Sequence, residues 1–251
     1  MATSSALTSA GVLELADAGS GLDAAERGLL LLEAALPEGS RIGAASLALG
    51  ARDAHVLALR CGTFGDSLGA RVSCPECGML LAAEIERHEL GMHVPEGDDA
   101  LSRSVQVESG DFSVEARTPD GRTLLAAAAA VDVDAARQSL IRDCVGEARG
   151  PGGAIDPLSL PDEVLAAVGE AIVSADRQSE VRVELECAGC AHEWSPVLDI
   201  ALFFWQELSA TSVQILDDVH QLAIGYGWSE PDVLALSARR RRRYVERLLG
   251  D

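Results

Sequence analysis

Apolar residues recur at helical spacing along most of the chain, and the period drops to two in only a few stretches. Thr8 or Ser9 can cap a short helix that residues 19–22 break, and Asp23 opens a second, AAERGLLLLEAAL, ended by Pro37-Glu-Gly-Ser. A third helix is predicted over residues 52–61, closed by Phe64-Gly65. A hairpin follows over residues 70–86. Strands at 104–108 and 112–117 then meet through Ser109-Gly110-Asp111, a tight-turn sequence. Thr118-Pro-Asp-Gly opens an Ala-rich helix to Val131. A further helix is expected over 134–149, with Leu140, Ile141, Cys144 and Val145 on one face.

Gly150-Pro-Gly-Gly breaks the pattern, and Leu160-Pro161 starts a helix whose Val164, Leu165, Val168 and Ile172 recur at helical spacing. Residues 179–186 and 192–197 form another hairpin. From Asp199 the chain is helical again, with one stripe of Ile200, Phe203, Phe204 and Leu208 and a second of Ile215, Leu216, Val219, Leu222 and Tyr226. Ser229 and Asp232 read as a capping box, with Pro231 tolerated in the first turn, and Ser237 caps the last helix.

The cysteines are of two kinds. Cys61 and Cys144 fall on apolar helical faces, where a thiol behaves as a small hydrophobe. Cys74-Pro-Glu-Cys77-Gly and Cys187-Ala-Gly-Cys190 each lie between strand-like runs, so each reads as a knuckle at a hairpin tip, Gly78 permitting the tight backbone of the first. Together Cys74, Cys77, Cys187 and Cys190 supply four soft ligands for one structural Zn2+. The 109 residues between the pairs far exceed the ~15–20 of a compact ribbon, so a shared site requires an inserted subdomain that returns the chain to its start. Metal-free hairpins and reversible dithiols are the competing readings. A thioredoxin-like role lacks its helix-start context, and His192, a substitute ligand by chemistry, reads as a packed residue beside Trp194.

The fold class expected is therefore α+β: mostly helical, with two Cys-x-x-Cys hairpins forming a split zinc-ribbon-like unit around an inserted hairpin-plus-helices subdomain. The boundaries are an N-terminal helical region at 1–69, the first knuckle at 70–90, the insertion at 91–178, the second knuckle at 179–198 and a C-terminal helical region at 199–251.

Charge narrows the function classes. The 40 acidic residues outnumber 20 basic ones, all Arg, for a net charge of −20. Lacking Lys, the chain cannot form a Schiff base or a P-loop lysine contact. Hydrolase, zinc-protease and dinucleotide motifs are missing too, so the expectation is a protein that is not an enzyme. Asp217-Asp218 beside His220 reads as ordinary helical neighbours. No apolar run approaches the ~18 residues of a membrane span, and the N-terminus lacks the basic region of a secretory signal, so a cytoplasmic protein is expected.

Residues 238–251 carry +4 against −24 for the remainder. Arg239, Arg243 and Arg247 form a row on the last helix, a solvated face neutralised by the acidic body or a docking face for an acidic partner. Nucleic acid ranks third, because a small basic patch on so acidic a chain steers weakly.

Residues 215–237, Ile-Leu-Asp-Asp-Val-His-Gln-Leu-Ala-Ile-Gly-Tyr-Gly-Trp-Ser-Glu-Pro-Asp-Val-Leu-Ala-Leu-Ser, followed by the Arg-rich stretch and Tyr244, resemble contractile-tail baseplate proteins of myovirus-type phages and phage-tail-like injection systems. The N-terminal helices, both knuckles and the Ala-rich helix fit the same layout, and the match is most specific from Cys187 to Leu249. The knuckle cysteines and Trp228-Ser229 match residue by residue. The second knuckle departs from the pattern, having no counterpart of Pro75 or Gly78. The resemblance implies a structural part of a tail particle, assembled in the cytoplasm, that contacts spike, tube or other baseplate proteins; Trp228, and on the charge reading Arg239, Arg243 and Arg247, are the expected contact residues. A transient assembly factor and a zinc-ribbon nucleic-acid-binding regulator are the alternatives.

Overall fold

The computed structural model describes residues 6–37 and 43–250. Side-chain caps start most of its helices where the sequence places them. Thr8 accepts the Gly11 N–H at the head of α1 (Ser9–Ala18), and Asp23 and Glu26 form a reciprocal capping box on α2 (Ala24–Ala35). The break expected after α2 extends over residues 38–40, outside the described residues. Helix α3 (Leu49–Phe64) is longer at both ends than the predicted 52–61.

Next come the hairpin of β1 (Ser67–Ser73) and β2 (Leu80–Glu86), then β3 (Ser104–Ser109), β4 (Phe112–Arg117), α4 (Gly121–Ala128) and α5 (Val133–Cys144). Strands β5 (Val145–Gly150) and β6 (Gly153–Ala154) complete an antiparallel four-stranded sheet of order β3-β4-β5-β6. Helix α6 (Asp162–Ala175), the short pair β7 (Leu185–Glu186) and β8 (Glu193–Trp194), and helices α7 (Ile200–Tyr226), α8 (Glu230–Leu234) and α9 (Ala238–Leu249) follow. The chain is thus mixed helix and sheet, and among the described residues no helix is long and apolar enough to cross a membrane.

Two apolar cores result. In one, Leu31, Leu32, Val56, Leu59, Phe204 and Leu208 join α2, α3 and α7, with Leu68 and Ile85 of the first hairpin. In the other, α6 lays Val164 and Val168 against Val107, Val114, Val145 and Ala148 of the sheet. Cys61 and Cys144 are buried, and burial raises both thiols above their ordinary pKa, which keeps them protonated and unreactive.

The helix expected over 134–149 stops at Cys144, and the chain passes directly into β5. Val145 and Ala148 are three apart, a spacing that mimics a helical face. A shift of register puts both inward on a strand: Val114 faces Ala148 and Ala116 faces Val145, with the irregularity between them. Ladder pairing to β4 and burial against α6 override local periodicity. The Ala-rich helix likewise ends at Ala128, short of Val131. The second knuckle hairpin has a two-residue ladder where longer strands were expected. Beyond it Val183 N–H still reaches the Pro196 carbonyl at 3.1 Å, but Pro196 has no N–H to return.

Candidate metal centre

The two Cys-x-x-Cys segments adopt the same local geometry. In the first, the Cys74 N–H donates to the Met79 carbonyl at 2.9 Å and the Gly78 N–H donates to the Cys74 carbonyl at 2.9 Å. In the second, Cys187 donates to His192 at 2.9 Å and Ala191 donates to the Cys187 carbonyl at 2.8 Å, at identical sequence offsets. Gly78 has φ +72°, and Ala191 has φ +56°, the one positive φ at a non-glycine among the described residues. The missing glycine therefore does not alter the second knuckle: Ala191 accepts the left-handed conformation that Gly78 adopts freely.

The hairpins bring their tips together although 109 residues separate Cys77 from Cys187. The four Sγ atoms of Cys74, Cys77, Cys187 and Cys190 lie within 4.8 Å of one another. The shortest separations run between knuckles, 3.7 Å for Cys74–Cys190 and 3.6 Å for Cys77–Cys187. Disulfides need ~2.05 Å, so all four are free thiols. A tetrahedron of sulfurs ~2.3 Å from a central ion has edges of about 3.8 Å, which these separations match. Cys74 and Cys187 are buried at the inner side, while Cys77 and Cys190 are exposed.

The electrostatics also suit a cation. Backbone N–H groups of Gly189 and Cys190 point at the Cys187 sulfur and bring its pKa down to about 7. The His192 N–H favours the Cys190 thiolate too. Lost hydration and the neighbouring sulfurs of Cys77, Cys187 and Cys74 outweigh it and push that thiol up to about 12. Four thiolates this close repel, and a central dication is the charge that lets all four ionise together. The group can hold a metal ion, and its soft sulfur donors select among thiophilic metals. His192 lies outside the four-ligand group and stacks on Trp194, ring centroids 5.9 Å apart.

The other predicted contact residues gather at the C-terminus, away from the cysteines in sequence. Trp228 stacks on Tyr226 at 4.9 Å, and both rings meet the edge or face of Tyr244, 4.9 and 5.9 Å away. Arg239, Arg243 and Arg247 are exposed on α9. The arginine that sequence reasoning missed is Arg241, buried and bound to Asp218. Its position in the run carries no distinguishing signal except register, since Arg241, Tyr244, Val245 and Leu248 share one helical face.

A cleft beside α3 contains His93, Glu96, Asp99, Arg103 and Asp176. Its acids are partly engaged: Asp99 pairs with Arg103 at 3.0 Å, and Asp176 accepts the Gly50 N–H at 2.9 Å. Asp217 and His220 are both on α7, outside its buried side. Compared with protein-family models, curated proteins and solved structures, the chain has no match in any of the three.

Proposed function

We propose that this chain acts by binding, as a structural component of a contractile-tail baseplate between the central spike or tube and the surrounding baseplate, and that a Zn2+ ion closes its four-cysteine site into a split zinc ribbon. The observation that carries the reading is the ligand set. Four sulfurs fill a tetrahedral ion completely and leave no position for water or substrate, which suits an ion that clamps two distant chain segments rather than one that performs chemistry. The C-terminal resemblance, from the second knuckle through Trp228 to the arginine helix, supplies the tail-particle setting.

Metal analysis of the purified chain tests the clamp: one zinc per chain is expected, and a metal-free protein with the same fold and stability overturns it. Purified contractile particles test the setting. A stoichiometric band in complete particles is expected, together with loss of complete particles in a deletion strain that still makes sheath and tube proteins. Firing-competent particles from that strain overturn the baseplate role.

A further inference from the structure

The four-cysteine site is uneven toward solvent. Each knuckle contributes one buried sulfur and one exposed sulfur: Cys74 and Cys187 are buried, Cys77 and Cys190 exposed. The shortest contacts join unlike members of opposite knuckles. Exposed Cys77 lies 3.6 Å from buried Cys187, and exposed Cys190 lies 3.7 Å from buried Cys74. Each thiol that an aqueous oxidant can reach therefore has a buried thiol beside it, in the other knuckle, placed to react next.

Protein contacts hold this pairing. The Gly189 N–H donates to Cys187 Sγ at 3.4 Å, and backbone bonds at equal offsets fix both knuckle turns. A Cβ on residue 189 would meet Met79 Sδ and Cε at 2.9 Å, so the thioether of one hairpin rests on the backbone of the other. The tips thus touch through more than their sulfurs. Closing either pair to a bond of ~2.05 Å needs about 1.6 Å of relative sulfur movement, on the scale of a side-chain rotation.

We propose that Cys77 and Cys190 are oxidation sites for hydrogen peroxide, that Cys187 and Cys74 resolve them, and that two cross-knuckle disulfides then replace the metal clamp. The Cys77 thiolate attacks one peroxide oxygen, the O–O bond breaks, and a sulfenic acid forms as hydroxide leaves. The Cys187 thiolate attacks the Cys77 sulfur, and the S–S bond forms as a second hydroxide leaves. Cys190 and Cys74 consume a second peroxide in the same two steps. Four thiolates lose four electrons, two peroxides become four hydroxides, and the site, stripped of thiolate charge, releases its Zn2+. Attack falls on sulfur, so a filled coordination shell is no obstacle to it.

The pairing decides what happens to the fold. A disulfide inside either knuckle closes a ring of four residues and leaves the hairpins untied. Cys77–Cys187 and Cys74–Cys190 span 110 and 116 positions, so they keep the constraint on the intervening chain that the ion imposed.

This chemistry rests on the proposed zinc reading for its starting state, and its test separates the two. The purified chain is titrated with hydrogen peroxide while a chromogenic indicator reads free zinc. Remaining thiols are then alkylated, and linked peptides are identified by mass spectrometry. About two equivalents of peroxide should release the ion. The links should be Cys77–Cys187 and Cys74–Cys190, with buried Cys61 and Cys144 recovered as alkylated thiols. The oxidised chain should keep its urea midpoint in chelator, and a dithiol reductant should restore four thiols and zinc uptake. Cys74→Ser should form only Cys77–Cys187, and Cys77→Ser only Cys74–Cys190. A chain isolated without zinc overturns the clamp alone, because the linkage map of its reduced form still decides the pairing. Links inside the knuckles, disulfide-bonded dimers, zinc retained in excess peroxide, or sulfinic acid at Cys77 or Cys190 without links would each overturn the proposal.

Discussion

Arg241 and Asp218 are joined at 2.8 Å, Nε to Oδ2, with side chains only 4% and 10% exposed, so the C-terminal helix is locked to α7 by a buried charge pair. Arg241 also donates to Ser9 Oγ at 3.0 Å, tying the first helix to the last. Removing one member of a buried pair strands the other charge, at a cost of about 3–5 kcal/mol. Arg241→Met is expected to destabilise the chain by that amount in urea unfolding. The double variant Arg241→Met with Asp218→Leu should recover most of the loss. Charge reversal at exposed Arg243 should move stability by less than about 0.5 kcal/mol.

The left-handed residues of the two knuckles respond in opposite directions to substitution. Ala191 at φ +56° bears a strain that glycine does not, whereas Gly78 at φ +72° has none to relieve. Ala191→Gly is expected to be neutral or stabilising by up to ~1 kcal/mol, and Gly78→Val to cost about 1–2 kcal/mol, with weaker metal retention. Denaturant midpoints of the metal-loaded proteins measure both.

The elements legible in the sequence were those specified locally. Asp23, Ser229 with Asp232, and the caps Thr8 and Ser237 each announce a helix start by chemistry within four residues. The cysteine pairs were legible because two thiols at that spacing have few other uses. Strand β5 was not, since Val145 and Ala148 satisfy a helical period and only the register irregularity against β4 places them on one strand face. The equivalence of Ala191 and Gly78 was equally hidden, because nothing local marks an alanine as left-handed. Arg241 illustrates the same limit: five consecutive arginines look alike until a buried carboxylate selects one.

Helix α7 makes a second ionic contact, this one with α3. Arg60 forks onto Glu207, with Nε–Oε2 at 2.8 Å and Nη2–Oε1 at 2.6 Å, donates to the Gly65 carbonyl, and lies 5.6 Å from the ring centre of Phe203. The Arg60 side chain is 3% exposed, so its charge depends on these partners. Arg60→Lys retains the charge but loses the fork, and should cost about 1–3 kcal/mol, a buried charged hydrogen bond. Glu207→Gln should cost a similar amount, and the two should not add, because they break the same contact. A double-variant cycle in urea checks this.

The proposed metal clamp makes the strongest thermodynamic prediction, because Cys77 and Cys187 enclose 109 residues. Cross-linking a loop of that length in the unfolded chain is worth about 4–5 kcal/mol on the chain-entropy account. Chelation should therefore lower the unfolding midpoint by several kcal/mol equivalents, with full recovery on adding zinc back. Cys74→Ser or Cys187→Ser should reproduce the chelated state and abolish the response to zinc, since each removes a buried ligand. Cys61→Ser and Cys144→Ser should leave metal content at one per chain, as both lie outside the cluster. Calorimetry with and without chelator distinguishes these cases. A midpoint indifferent to both chelator and Cys187→Ser would show that the hairpins hold together without an ion.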